Sequence, residues 1–305
     1  MVPLRIEMPS NIDDNRVGSS FNYLFKIILK MELSDKDDDV IWDFSKTSKL
    51  NPFFILPLIL YKKRCIKNVQ YENISDELQI YFNAIHFHNI LDVENMRTDF
   101  SEYMESFSNK RYIPIIRFPA SKDKDELRNQ IIKTINTILK KQLNLTDKIY
   151  SVLSYLLSEL IDNITEHSDS IHGGYIFAQY YTKNKYIDIC IADEGITILG
   201  SYVKAGNKDI INDVDAIKKA STGVSTKNLP EAENRGYGIR TSKKMLAGLK
   251  GQFFLFSGGA FYRKTHDSED YVKLPRHIKW DGTVVLLRIP YGVNEEFNIY
   301  EYLEG

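Results

Sequence analysis

Residues 158–168 have the sequence SELIDNITEHS, and the prediction of the fold starts from this stretch. Glu159 and Asn163 are four positions apart in a segment rich in helix-forming residues, so their side chains project from one face of a helix. A carboxylate that accepts a proton and an amide oxygen that binds a hard cation suit the chemistry of Mg-nucleotides. The same pair occurs by chance on many solvated helices, so its meaning depends on the motifs that lie further along the chain.

Two short motifs later in the chain indicate a ligand site at strand ends. Asp193-Glu194-Gly195 comes directly after a predicted strand over 187–192, where a carboxylate can accept a hydrogen bond from an exocyclic amine. The glycine of this motif lets the backbone approach a flat ring. Gly282 and Thr283 open the last strong strand, where a hydroxyl can reach the edge of a ligand. Each motif alone is more often a plain turn or a strand start.

A glycine-containing sequence, NRGYGIR at 234–240, opens a predicted helix. Glycines there allow backbone N–H groups to converge on phosphate oxygens, and the helix N-terminus adds positive potential. The sequence lacks the third glycine of a dinucleotide fingerprint, and the chain contains no P-loop motif. A phosphate-binding role therefore depends on the elements before and after it.

In this order, the four elements resemble the GHKL superfamily of ATP-binding domains, which includes DNA gyrase, the heat-shock chaperone, sensor histidine kinases and MutL-type repair proteins. The resemblance covers about residues 110–290. It implies a Bergerat-type α/β sandwich, in which a layer of helices covers a mixed, mostly antiparallel sheet. ATP and Mg²⁺ are the ligands that it implies.

The same resemblance assigns roles to individual residues. It implies that Glu159 orients or deprotonates the attacking group and that Asn163 binds Mg²⁺. Asp193 would hold the adenine amine, with Gly195 beneath the ring and Thr283 beside it. The full set of cofactor-binding residues that we predict is Asp193, Gly195, Thr226, Lys227, Arg235, Gly236, Tyr237, Gly238, Ile239 and Thr283.

Residues 196–234 correspond to the segment that closes over the nucleotide in this superfamily. The segment contains STGVSTK at 221–227, which is rich in hydroxyls and carries one cation. We predict a mobile ATP lid in which Lys227 or Arg235 offsets charge on the γ-phosphate. The alternative is an ordinary surface loop.

The composition of the 305 residues is that of an ordinary soluble protein, with 43% hydrophobic and 27% charged residues. Forty basic and 41 acidic side chains give a net charge of −1, so no overall field indicates nucleic acid or an anionic membrane. The apolar run at 52–60 is too short to span a membrane, and residues 1–7 lack the features of a signal peptide. Two cysteines form no framework, and we predict a cytoplasmic protein.

The chain divides into two predicted α/β (α+β) units, an N-terminal domain over 1–108 and the ATP-binding domain over 109–305. Strand 40–44, the loop 45–50 and the apolar helix after it resemble STAS-type domains, the fold of anti-sigma-factor antagonists. Those antagonists carry Asp-Ser at the helix start, where this chain has Asn51-Pro52. Because the acceptor hydroxyl is absent there, we expect this domain to dock a partner or its own ATPase unit.

Three functions are consistent with these motifs. The first is slow ATP hydrolysis with lid closure as a switch that controls a protein interaction. The second is serine/threonine kinase activity on a separate partner protein, as in the anti-sigma-factor branch of the superfamily. The third is an ATP-gated interaction module without hydrolysis. Each of them implies a protein partner, and a homodimer is compatible with all three.

Overall fold

The computed structural model describes residues 3–12, 17–35, 39–223 and 238–291. The described residues form a three-stranded sheet and an eight-stranded sheet, with helices between and around them. The strands are β1 (Leu4–Glu7), β2 (Val40–Asp43), β3 (Val69–Glu72), β4 (Leu91–Asp92), β5 (Tyr112–Phe118), β6 (Gly174–Tyr181), β7 (Tyr186–Asp193), β8 (Gln252–Gly258), β9 (Ala260–Lys264), β10 (Glu269–Lys273) and β11 (Trp280–Pro290). The helices are α1 (Val17–Leu33), α2 (Pro52–Arg64), α3 (Asp76–Ala84), α4 (Phe100–Glu105), α5 (Asp125–Leu143), α6 (Asp147–His167), α7 (Ile198–Lys204), α8 (Asp213–Ser221) and α9 (Gly238–Gly248).

The small sheet is parallel, in the order β1-β2-β3, and belongs to the first third of the chain. Helix α2 comes after β2 and starts as the sequence predicts. The Asn51 side chain accepts a hydrogen bond from Phe54 N at 3.0 Å, and Pro52 occupies the first helical position. The helix is buried from Pro52 to Tyr61, which explains its continuous apolar sequence.

The large sheet has the strand order β10-β9-β8-β11-β7-β6-β5-β4. All of its neighbouring strands are antiparallel except β4 and β5. The α+β class and the mixed, mostly antiparallel sheet that we predicted are confirmed. In this order β7 and β11 are neighbours, which brings the ends of two distant strands together.

Helices cover both faces of the large sheet. On one face α5, α6 and α9 pack on side chains such as Ile176, Ile189 and Leu287. On the other face α1 and α2 pack on the alternate side chains of the same strands, such as Phe177, Cys190 and Leu286. The two sets alternate because successive side chains of a strand point to opposite faces.

The hydrophobic core is continuous across residue 108. Phe53 and Leu56 of α2 belong to the same buried cluster as Phe254 and Trp280 of the large sheet. Strand β4, which precedes residue 108, pairs with β5. The division at 108/109 and the STAS-like identity of the first third stay predictions, and the packing joins the two units closely. Among the described residues, no helix has the length and apolar character that crossing a membrane requires.

Candidate functional site

Helix α6 places Glu159 and Asn163 on one partly exposed face. Thr146 caps the helix by accepting a hydrogen bond from Ile149 N, and the helix continues to His167. Buried side chains on its other side, including Leu160 and Ile164, pack in the core beneath it. Glu159 and Asn163 therefore sit one turn apart on a helix that the core holds in place.

Gly238, the first residue of α9, lies directly against this pair. A Cβ built on Gly238 would be 2.9 Å from Asn163 Nδ2 and 3.0 Å from Glu159 Oε2. Both distances are shorter than ordinary van der Waals contact. The structure thus brings together three residues that the sequence placed in one site, and only glycine leaves the pair undisturbed.

Tyr155 adds a fourth group that the sequence analysis did not place in the site. It lies one turn before Glu159, and its phenol is near enough to the Glu159 carboxylate and to Thr241 of α9 for both to affect its pKa. Burial and the neighbouring Glu159 carboxylate raise the pKa of Tyr155 to about 12. The phenol therefore remains protonated at neutral pH and can orient the Glu159 carboxylate. The sequence signal was the i, i+4 spacing, but Tyr155 also fitted the apolar stripe of α6.

Asn163 has a buried amide nitrogen with no hydrogen-bond partner among the described residues. A buried polar group of this kind ordinarily has a partner, because leaving it without one costs about 1–3 kcal/mol. An amide that rotates can present its oxygen in the same direction, and amide and carboxylate oxygens are suitable Mg²⁺ ligands. Glu159 and Asn163 therefore offer two oxygens of a kind that fits Mg²⁺.

A second corner of the site forms at the end of β7. Asp193 is 2% exposed. Its Oδ1 accepts a hydrogen bond from Gly195 N at 2.8 Å, and its Oδ2 accepts one from Thr283 N at 3.1 Å. Three predicted site residues from two neighbouring strands thus meet here. By strand alternation Asp193 points to the face that carries α6 and α9, as Ile189 and Ile191 do.

The Asp193 carboxyl is titratable near neutral pH. Burial raises its pKa to about 7, although the backbone N–H groups of Gly195 and Thr283 lower it and the Glu194 carboxylate raises it. A group with this pKa changes its hydrogen-bonding character within the physiological range. Ionised, it offers acceptor lone pairs to an amine; protonated, it offers one donor.

The glycines of this corner have a steric role in the fold. A Cβ on Gly195 would lie 1.9 Å from Ser168 O, at the end of α6. Gly282 has φ +83°, and a Cβ there would lie 2.4 Å from Asp193 O. Gly195 therefore packs closely against the backbone at the end of α6, a reason for glycine that the expected ring contact did not include.

The Thr283 hydroxyl is engaged within the protein. It donates to Ser257 Oγ at 3.2 Å, and Ser257 donates in turn to Gly282 O at 2.7 Å. We expected this hydroxyl to face a ligand, whereas the contact of Thr283 with Asp193 is made by its backbone N–H.

The end of α6 joins the two corners. Ile196 N donates to Ser168 O at 2.6 Å, immediately beyond Gly195. Ser168 lies five residues after Asn163, which corresponds to about 7.5 Å along a helix axis. The two corners therefore lie beside the same helix, α6, with Glu159 and Asn163 at one corner and Asp193 at the other.

The remaining predicted residues divide into two groups. Ile239 is partly buried and packs against the core beneath α9. Thr226, Lys227, Arg235, Gly236 and Tyr237 lie outside the described residues. Of the segment predicted as a lid, residues 196–223 are described and contain α7 and α8. The described residues contain no group of three or more His, Cys, Asp and Glu side chains that could hold a metal ion by themselves.

Compared with known proteins, the chain matches no family model, no curated protein and no solved structure.

Proposed function

We propose that this chain binds Mg-ATP along α6, between the start of α9 and the ends of β7 and β11, and hydrolyses it slowly. The observation that carries this proposal is the contact of Gly238 with both Glu159 and Asn163. A glycine at the first residue of a helix, facing a carboxylate and an amide, is suited to hold phosphate oxygens next to a cation. The GHKL resemblance of the sequence supports the same assignment.

Asp193 supplies the base-recognising end of the proposed site. Its carboxylate is fixed by two backbone N–H groups, so its remaining lone pairs have a defined direction. An exocyclic amine is a fitting partner, because it donates where an ionised carboxylate accepts. Adenine carries such an amine, which guanine lacks at the same ring position.

Glu159 is the proposed general base. Its carboxylate takes a proton from the attacking water as the water oxygen bonds to the γ-phosphorus and the bond to the β-phosphate oxygen breaks. ADP and inorganic phosphate are the products, and the proton on Glu159 passes to solvent. Mg²⁺, when bound with the nucleotide, offsets negative charge on the phosphates.

Asn163 would contribute its amide oxygen to that cation, and Tyr155 would hold the Glu159 carboxylate in orientation. The control of a protein interaction by nucleotide, in the cytoplasm, is part of the same proposal. Transfer of the γ-phosphate to a protein hydroxyl uses the same groups with a different acceptor.

Calorimetric titration of the full chain with ATP and ADP, with and without Mg²⁺, tests the binding. We expect saturable heat with ATP that is enhanced by Mg²⁺. Release of free phosphate from γ-labelled ATP then separates hydrolysis from transfer of label to a protein. A chain that gives no heat with either nucleotide contradicts the proposal.

A further inference from the structure

The basic end of α2 reaches the large sheet at the Asp193 corner. Lys62, Lys63 and Arg64 form the last turn of this helix. Lys63 Nζ lies 3.1 Å from Glu194 Oε2, and Arg64 Nη1 donates to Asp281 O at 3.1 Å. Two consecutive side chains from the first third of the chain thus hold two separate segments of the large sheet.

Glu194 needs a cation at this position because its side chain is only 4% exposed. The hydroxyl of Tyr175 donates to Glu194 Oε2 at 2.7 Å, and Lys63 also contacts this hydroxyl. Burial and the Glu194 carboxylate raise the pKa of Tyr175 well above its usual value, so it remains a donor. Among the described residues, Lys63 is the cation paired with the Glu194 carboxylate.

Arg64 makes a more extended contact. Its guanidinium lies 4.3 Å from the centre of the Trp280 ring, in addition to its bond with Asp281 O. A guanidinium over an indole ring is a favourable arrangement. Arg64 therefore fixes the start of β11.

Both held segments are adjacent to the groups that place Asp193. Glu194 is the next residue after Asp193, and Asp281 directly precedes Gly282, which packs on Asp193 O. Because neighbouring side chains alternate, Glu194 faces α2 while Asp193 faces α6. The end of α2 thus supports the Asp193 corner from the opposite face of the sheet.

We propose that Lys63 and Arg64 are positioning residues of the nucleotide site, which hold the two backbone segments that orient Asp193. The consequence of this inference is that the first third of the chain sets the affinity for nucleotide, and that consequence rests on the proposed function. Its structural part concerns the Asp193 corner itself. That part holds with or without a ligand.

Lys63→Met in the full chain tests the structural part without nucleotide. We expect amide hydrogen exchange at Gly195 and Thr283, whose N–H groups bond to Asp193, to become about fivefold faster or more, since a buried carboxylate loses its cation. Lys62→Met is the matched control, because Lys62 is in the same turn but lies over the Tyr71 ring, 4.7 Å from its centre. Lys63→Arg keeps the charge and is expected to retain protection.

Calorimetry with Mg-ATP tests the consequence. Lys63→Met is expected to weaken binding about fivefold relative to Lys62→Met, by the same loss of charge pairing. Glu194→Gln removes the charge that Lys63 offsets, so the double variant Lys63→Met/Glu194→Gln is expected to recover the wild-type affinity to within about twofold. Arg64→Met is expected to weaken binding independently of this rescue.

The two proposals fail separately. Equal amide exchange and equal affinity in Lys63→Met and Lys62→Met overturn the positioning role. Faster exchange in Lys63→Met together with a wild-type chain that binds no nucleotide supports the positioning role and overturns the nucleotide site. Lys63 is 42% exposed in its side chain, so its replacement does not open the core.

Discussion

Gly238 lies so close to Asn163 that a Cβ at this glycine would be 2.9 Å from the amide nitrogen. The contact joins the first residue of α9 to the partly exposed face of α6. The atoms involved on α6 are the ends of flexible side chains, which can rotate away. The contact therefore limits where Glu159 and Asn163 point more than it limits whether the protein folds.

Gly238→Ala is the first prediction. The methyl group displaces the Glu159 and Asn163 side chains, so affinity for Mg-ATP is expected to fall about tenfold, as for the loss of one charge-assisted hydrogen bond. The melting temperature is expected to change little, because alanine favours helix and its neighbours can rotate. Calorimetry and thermal unfolding measure the two effects.

Gly259→Ala is the control for this variant. A Cβ at Gly259 would meet Asp213 Oδ2 at 3.4 Å, which is ordinary contact. Affinity in this control should equal that of the wild type. A Gly238→Ala protein with unchanged affinity contradicts the placement of phosphate at the start of α9.

Glu159→Gln is the second prediction. The amide keeps the shape of the side chain but cannot accept the proton of the attacking water, so phosphate release is expected to fall by about 100- to 10,000-fold. Binding of Mg-ATP should change much less, since the proton transfer occurs only in the chemical step. Single-turnover phosphate release measures the chemical step, and calorimetry measures binding. If the variant released phosphate at the wild-type rate, another group would be the base.

Tyr155→Phe is the third prediction. The phenol lies near the Glu159 carboxylate, and in our proposal its removal leaves the carboxylate less well oriented. We expect hydrolysis to slow by about five- to tenfold, which corresponds to one hydrogen bond, with nucleotide affinity unchanged. Tyr150→Phe is the control, since Tyr150 is on the same helix and its ring contacts Lys140. Equal rates in the two variants would remove Tyr155 from the site.

The fourth prediction concerns pH and Asp193. Its pKa is raised to about 7, above the ordinary value of 3.8 that the unfolded chain has. Between these two pH values the folded protein binds the extra proton, so the stability contributed by this group is complete below about pH 4 and is lost as pH rises through 7. The difference between the two pKa values corresponds to about 4 kcal/mol.

Nucleotide affinity has the opposite dependence on pH. The ionised carboxylate is the better acceptor for an amine, so binding is expected to strengthen as pH rises through about 7. Comparing the wild type with Asp193→Asn by urea unfolding and by calorimetry from about pH 4 to 9 isolates this group from the other carboxylates. Parallel pH profiles for the two proteins would contradict the prediction.

The fifth prediction concerns the buried ion pair of Asp188 and Arg288. Arg288 Nε and Nη2 lie 2.7 and 2.8 Å from the two carboxylate oxygens of Asp188. Burial raises the pKa of Asp188, while Arg288 lowers it. Arg288→Met leaves the carboxylate buried without its cation, and we expect a loss of about 3–5 kcal/mol in the free energy of unfolding.

The double variant Asp188→Leu/Arg288→Met is the control for that loss. Because it removes both charges together, its stability is expected to be within about 1 kcal/mol of the wild type. Chemical denaturation of the two variants measures the difference. A single variant as stable as the double variant would mean that water reaches Asp188.

Local patterns in the sequence predicted much of the fold. The start of α2 at Asn51-Pro52, the helical face shared by Glu159 and Asn163, and the strands that end before Asp193 and open at Gly282 depend on residues near one another in the chain, and the structure has these elements. Helix α1 and the strand pair β9 and β10 were not predicted. Helix α1 packs on residues far along the chain, such as Phe254 and Phe256, which local propensity does not report. Strands β9 and β10 pair with each other, and β9 pairs with β8, which directly precedes it in the chain.

Part of the candidate site could be predicted from the sequence, and part of it depends on the tertiary structure. The spacing of Glu159 and Asn163 fixes their common face by helix geometry alone, and the order of the motifs indicates which residues to compare. The contact between Asn163 and Gly238 depends on the packing of α6 against α9. The hydrogen bond from Thr283 to Asp193 depends on the pairing of β11 with β7. Tyr155 was not predicted as a site residue, because an apolar stripe does not distinguish a buried ring from a phenol that lies near a carboxylate.

The sequence thus contains the helix faces, the strand alternation and the choice of glycine, all of which depend on interactions within a few residues. The tertiary structure alone brings Lys63 to Glu194, which is 131 positions away, and sets the pKa of Asp193 near 7. Such contacts depend on how sheets and helices pack. The shift that burial causes in the pKa of Asp193 likewise depends on the atoms that surround the carboxyl in the folded protein. For that reason the chemistry-bearing groups were visible in the sequence, while their support from the opposite face of the sheet was not.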